Sequence, residues 1–284
     1  MKTAIVGGGW AGVAAAVAAC QAGHQVSLFE ATRQLGGRAR AVSATLPDGT
    51  PVTLDNGQHI LIGAYTETLR LMRLVGVAPE AALLRRPLSL PFVDGTGLQT
   101  PRYATHWPAP LDAIAAIATA RGWNWRERAS LIRAALGWQW RGFTCEPHQT
   151  VAQLCASLAP RVLHELIDPL CVSALNTPAH KASASVFLRV LQDALVGVRG
   201  GSHLLLPRVD LGALFPEAGA RWLAQRGATV HLGQRVQQLR HTPQGWALDG
   251  AVFDHVVWAT SSSNAALALV EYANHAPETI AKAL

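Results

Sequence analysis

Three glycines and one acid stand where chemistry could begin. Gly7, Gly9 and Gly12 take G-x-G-x-x-G spacing within "AIVGGGWAG", and Glu30 closes the run "HQVSLFE". Each position has a mechanical task. Gly7 permits a tight turn after a strand, Gly9 lets the backbone approach a pyrophosphate, and Gly12 lets a helix pack closely on that strand. The helix that opens there turns unpaired N–H groups and a partial positive charge toward an anion. An acid about 20 residues beyond the glycines accepts a hydrogen bond from a ribose hydroxyl and repels a 2′-phosphate. The combination predicts a dinucleotide site.

The elements that must position these groups are legible beside them. Lys2 to Val6 is a short apolar run of the buried parallel-strand type, an alanine-rich helix follows, and Gln25 to Phe29 supplies a second strand. Together they make one βαβ unit. After Glu30 comes "ATRQLGGRARA", where Gly36 and Gly37 precede Arg38 and Arg40. A second glycine pair offers another close backbone approach with cations at hand, or simply a loop turning away from the sheet. In "LDNGQHILIGAY", Asp55, Asn56 and Gly57 form a turn, and Gln58 and His59 lead into an apolar run. His59 reads either as a structural ring or as a proton donor.

Further along, "YTETLRLMRLV" has helical spacing and stops at Gly76. Prolines then cluster at Pro87, Pro91, Pro101, Pro108 and Pro110, ahead of long helical stretches. We place an inserted, largely helical substrate or cap domain at residues 85–199, between two parts of the nucleotide-binding domain at 1–84 and 200–284. Within the insertion, "RGWNWRERASLIRAALGWQWRGF" brackets a helix with Trp123, Trp125, Trp138 and Trp140 and threads it with arginines. That composition suits a helix lying on an anionic bilayer and equally a cap helix whose tryptophans line a core or tunnel. "IDPLCVSALNTPAHKASASVFLRVLQDAL" reads as two helices broken near Asn176 to Pro178. Toward the C-terminus, strands are expected at Thr229 to Leu232 and His255 to Thr260, with turns at Pro243 to Gly245 and Asp249-Gly250.

Composition narrows the classes. A chain of 284 residues with half of them hydrophobic can bury a sizeable core, and its formal charge is +6. The positive charge is dispersed, mostly as arginine, with no basic tract and no zinc-finger or RNP pattern, so no nucleic-acid partner is expected. No apolar run reaches the roughly 18 uncharged residues of a spanning helix. The four cysteines form no C-x-x-C pair or His-spaced cluster, which points to reduced thiols in a cytoplasmic protein and to no metal site.

The pattern E-x5-GGR after G-x-G-x-x-G resembles the start of the FAD-dependent amine oxidase and phytoene desaturase superfamily. The resemblance implies an α/β fold with a Rossmann-like FAD-binding domain, and FAD as the cofactor. It assigns Glu30 to the adenosine ribose, and Gly36, Gly37 and Arg38 to the diphosphate side of the flavin. "DNGQH" is similar to the superfamily's D-x-G-x-H segment, which would set Gly57 and Gln58 beside the isoalloxazine and make His59 a catalytic candidate. "GQRV" would bring the backbone of Val236 near the adenine, and "HVVWAT" would return Ala259 and Thr260 toward the dinucleotide. Ala41 stands where the superfamily often has Ser or Thr, which leaves Ser43 without a transferable role.

"LDNGQHILIGAY" and "PL…ALNTP…ASA" resemble the bacterial hydroxysqualene dehydroxylases. That likeness implies an apolar isoprenoid substrate and reductive loss of an allylic hydroxyl to give squalene for hopanoid synthesis, while any peripheral contact with an anionic membrane rests on the tryptophan–arginine helix. A carotenoid or phytoene desaturase is the alternative, and a non-catalytic FAD-binding fragment a third reading. The resemblance covers about the first two thirds of a usual family member. The superfamily's C-terminal glycine-rich segment is not found, so the expectation is either a truncated chain or a second chain that supplies the flavin-closing segment.

Overall fold

The computed structural model describes residues 1–57 and 59–275, which fall into two compact units. The first unit combines residues 1–59, 67–83 and the described residues from Pro207 onward. At its centre β1 (Lys2–Val6) leads into α1 (Trp10–Gln21), and β2 (Gln25–Glu30) follows. The sheet order is Thr229–Leu232, β2, β1, His255–Trp258, with every pair parallel. β1 is central because its side chains are apolar on both faces, with Ala4, Ile5 and Val6 all buried. In β2 the buried positions alternate, Val26, Leu28 and Glu30, which delivers the acid to the inner face at the strand's end.

The alanines of α1 let it lie close to the sheet. Val13, Ala16 and Val17 are fully buried, and Gly219 of the Pro216–Ala224 helix lies against Val13. The C-terminal strands form an antiparallel meander, Leu239–Thr242, Gly245–Leu248 and Ala251–Phe253. Asp249 and Gly250 both take positive φ, 45° and 91°, as a two-residue hairpin turn of matching twist requires. Both turns expected from the sequence are present.

The second unit comprises Ile60–Thr66 and Leu84–Leu206. Its helices include Leu111–Ala118, Trp125–Trp140, Asp168–Leu175 and Ala184–Gln192. They surround a core containing Trp123, Leu131, Trp138, Val162, Phe187 and Leu188. The break expected near Asn176 is there: that residue ends a helix in the left-handed conformation at φ 49°. Two features escaped the sequence reading. Leu61–Ile62 pairs antiparallel with Leu204–Leu205, so Ile60–Thr66 belongs with this unit although it lies within 1–84. Its later boundary falls after Leu206, beyond residue 199, because the Leu204–Pro207 strand completes the same small sheet.

The tryptophan-rich helix starts at a capping box. Asn124 accepts from the N–H groups of Arg126 and Glu127, and the Glu127 carboxylate accepts from the Asn124 N–H. Leu131 and Trp138 then face the core, while Leu136 is exposed. Truncating Leu131 to alanine is expected to cost about 2 kcal/mol of stability, read by denaturant unfolding. The same truncation at Leu136 should stay within about 0.5 kcal/mol. The four cysteines are free, and burial, aided by nearby Cys171 and Asp168, pushes the Cys155 thiol up to about 12.

Candidate functional site

The three glycines of the fingerprint hold β1, α1 and the return strand in mutual contact. Gly7 turns the chain at φ 109°, and its N–H donates to the Phe29 carbonyl at 2.8 Å. A Cβ at Gly7 would sit 2.7 Å from the Ala259 carbonyl oxygen, while the Ala259 N–H donates to the Val6 carbonyl at 2.8 Å. Ala259 and Thr260 therefore run beside the turn. A Cβ at Gly12 would overlap the Gly7 carbonyl oxygen itself, so only glycine allows α1 this close to β1.

The second glycine pair is stitched to the first. Gly36 donates to the Gly8 carbonyl at 2.9 Å and bridges Gly9, and a Cβ on Gly37 would lie 3.2 Å from the Gly9 Cα. Gly9 is the N-cap of α1, and the space its missing Cβ would take has only the Gly37 Cα within reach, at 3.9 Å. α1 has no side-chain cap and no acidic residue in its first turn. Its leading N–H groups and positive dipole end are thus left without a protein anion. That is what a diphosphate requires, and the residues present fit one.

Glu30 is 9% exposed and heavily engaged. One carboxylate oxygen accepts from the Gly8 N–H at 2.7 Å; the other accepts from the Thr32 N–H at 2.8 Å and the Thr32 hydroxyl at 2.9 Å. A carboxylate offers about four lone-pair sites, so one remains for a ribose hydroxyl. The loop carrying Val236 is tied alongside: the Gln234 N–H donates to the Glu30 carbonyl at 2.9 Å, and Gly233 donates to Thr32 at 2.8 Å. Val236 itself packs with Phe29 and Trp246 on a cluster containing Ala4 and Val6.

Arg38 and His59 are exposed, and neither makes a hydrogen bond or ion pair to a described residue. The His59 ring lies against Gly57, its Nε2 3.5 Å from where a Cβ there would stand. Gln58 lies outside the described residues. The structure thus brings together Gly7, Gly9, Gly12, Glu30, Gly36, Gly37, Val236, Ala259 and Thr260. It ties Gly57 in more loosely, through its neighbour Asn56, which exchanges hydrogen bonds of 3.0 Å with the backbone of Arg40 in both directions. Sequence reasoning missed Thr32, and it placed Asn56 in a turn without foreseeing its bonds to Arg40. A Thr two residues after the acid, able to fold its hydroxyl back, was the available signal for the first.

The second unit has its own buried polar pair. Ser202 donates to Asp112 at 3.1 Å, and both side chains are buried. Next to Ser202, the His203 Nδ1 is buried without a partner. Burial first, then the Arg85 charge, lowers the His203 pKa below its usual 6.5, against a smaller opposing pull from Asp112. The folded protein therefore holds fewer protons than the unfolded chain around and below pH 6.5. His203 contributes stability that is present above that pH and is lost as pH falls through the depressed folded value. Thermal melts should fall with acidification in this window, and His203→Gln should flatten that slope. Among the described residues no group of three His, Cys, Asp or Glu side chains is placed to hold a metal.

Comparison with known proteins gives the chain a family and a fold. The family model described as flavin containing amine oxidoreductase matches residues 10–284. A hydroxysqualene dehydroxylase of Sinorhizobium fredii is 26% identical over 250 residues, covering 83% of this chain and 54% of that protein. A zeta-carotene desaturase of Synechocystis is 40% identical over 83 residues, which is 29% of this chain and 16% of that protein. A crystal structure of an oxidoreductase from Methanosarcina mazei aligns with a TM-score of 0.67 at 17% identity, over 95% of this chain and 61% of that one. The chain spans about half the length of the hydroxysqualene dehydroxylases it matches.

Proposed function

The chain belongs to the flavin-containing amine oxidoreductase family, with FAD as its cofactor, and from that premise we propose that it serves the reductive dehydroxylation of hydroxysqualene to squalene. The observation that carries the oxidoreductase reading is the pair of stitched glycine turns in front of an uncapped helix, closed by Glu30. The substrate reading is supported by matches to hydroxysqualene dehydroxylases along most of the chain.

Reduced flavin, when bound, supplies a hydride. The residues of the first unit then have the following tasks. The α1 N-terminus and the backbone at Gly9, Gly36 and Gly37 hold the diphosphate, with Arg38 as a free cation beside it. Glu30 orients the adenosine ribose, Val236 packs near the adenine, and Ala259 and Thr260 line the return strand. Loss of the substrate hydroxyl as water needs one proton, and His59 is the residue we assign to that task, with Gly57 and Gln58 on the flavin side of the same segment. The apolar helical unit holds the isoprenoid chain and keeps out water that would capture the allylic cation.

A second reading has its own support, the likeness to a zeta-carotene desaturase. There hydride would run the other way, from a polyene precursor to the flavin. One anaerobic assay separates the two. Dithionite-reduced protein given hydroxysqualene should yield squalene with the flavin reoxidised, whereas oxidised protein given phytoene should leave the flavin yellow. Bleaching with phytoene and no squalene would favour the desaturase. Bound FAD with neither reaction would sink both substrate readings and leave the cofactor site standing.

A further inference from the structure

The Trp125–Trp140 helix buries one face and leaves the other uncovered. Leu131 and Trp138 point into the core of the second unit. On the opposite side Trp125, Arg126, Ala129, Arg133, Leu136 and Trp140 fall within an arc of roughly 100° at 3.6 residues per turn. Trp140 is 93% exposed, Trp125 71% and Leu136 48%, and both arginines are exposed. The Arg141 guanidinium folds back over Gly137 at the edge of the same arc, 3.4 Å from where a Cβ would stand. The arc carries no acid. The helix's single carboxylate, Glu127, is engaged in the capping box at its start.

We propose that this face docks on the surface of an anionic phospholipid bilayer, with the helix lying in the interface. Two tryptophans at opposite ends suit a plane where an apolar ring meets polar headgroups, with the indole N–H reaching water or phosphate. Arginines between and beside them match phosphate in charge and in fork geometry. A protein partner would ask for a dry apolar centre, and here the centre of the stripe is Ala129 and Arg133. The formal charge of +6 adds a long-range attraction of the same sign. No helix among the described residues is long and apolar enough to cross a membrane, so the contact is lateral. The proposal goes beyond the assigned reaction and is tested without turnover.

The test is co-sedimentation of the full chain with vesicles of phosphatidylcholine, with and without phosphatidylglycerol. The unaltered protein should pellet with the anionic vesicles and be released by salt. Arg126→Gln with Arg133→Gln should weaken the apparent affinity about thirtyfold, from about one RT-scaled factor of five per arginine. Trp125→Gln with Trp140→Gln should abolish binding even at low salt. All four side chains are solvent-exposed, and circular dichroism with thermal melts checks that both variants remain folded. Failure of the unaltered protein to pellet would overturn the proposal, as would full binding by both double variants. Self-association lost in the tryptophan variant, with no vesicle binding by the parent, would also overturn it and make the face a protein contact.

Discussion

Gly12→Ala should cost about 3 kcal/mol or more and abolish FAD binding. The new Cβ would overlap the Gly7 carbonyl oxygen, which is backbone and has no rotamer to escape into. Relief requires α1 to move off β1, and that movement carries the leading N–H groups away from the diphosphate and opens the contact between Gly7 and Ala259. Gly137→Ala makes the informative contrast. It is also a glycine-to-alanine change inside a helix, but its nearest neighbour is the flexible end of Arg141 at 3.4 Å. There the gain in helix propensity should dominate and stabilise by up to about 1 kcal/mol. Opposite signs in paired denaturant melts would show that the close approach, and not glycine's flexibility, is what Gly12 provides.

Glu30→Ala should lower stability by about 2 to 3 kcal/mol and weaken FAD binding at least about tenfold. The Gly8 N–H is buried and would lose its acceptor, whereas Thr32 is exposed and can turn to water. Stability loss is therefore set chiefly by Gly8 and affinity loss by the missing ribose acceptor. Glu30→Gln should be intermediate. Its amide keeps one oxygen acceptor but presents N–H to a second site that now receives hydrogen bonds from protein donors. Flavin fluorescence titration measures the affinity change and chemical unfolding the stability change. Wild-type affinity in Glu30→Ala would place the ribose elsewhere.

The nucleotide fingerprint was legible because its information is steric and local. Gly7, Gly9 and Gly12 are spaced by the geometry of one turn, and β1, β2 and the Thr229–Leu232 strand fall where their apolar runs put them. The Asp249-Gly250 hairpin was legible for the same reason, since few residue pairs accept two positive φ values. The stitch between Gly9 and Gly36 was only suggested by the second glycine pair, because a bridge between two loops depends on how both fold. The pairing of Leu61–Ile62 with Leu204–Leu205 left no local signature. Two residues are too few for a period, and the partner lies far along the chain. The tryptophans showed the limit of composition. Trp125 and Trp140 are surface and Trp138 core by helical phase, while Trp123 is buried from ahead of the N-cap, its indole N–H donating to Glu165 at 2.8 Å.

The turn from Gly7 to Gly12 forms a built FAD site in this chain. The most direct measurement is the amount of FAD bound per chain, by absorbance of the purified protein before and after incubation with FAD, for the parent and Gly12→Ala together. The parent should be yellow and reach one FAD per chain, and the variant should stay colourless. A parent that takes up no FAD, or a variant that binds it as well as the parent, would contradict it.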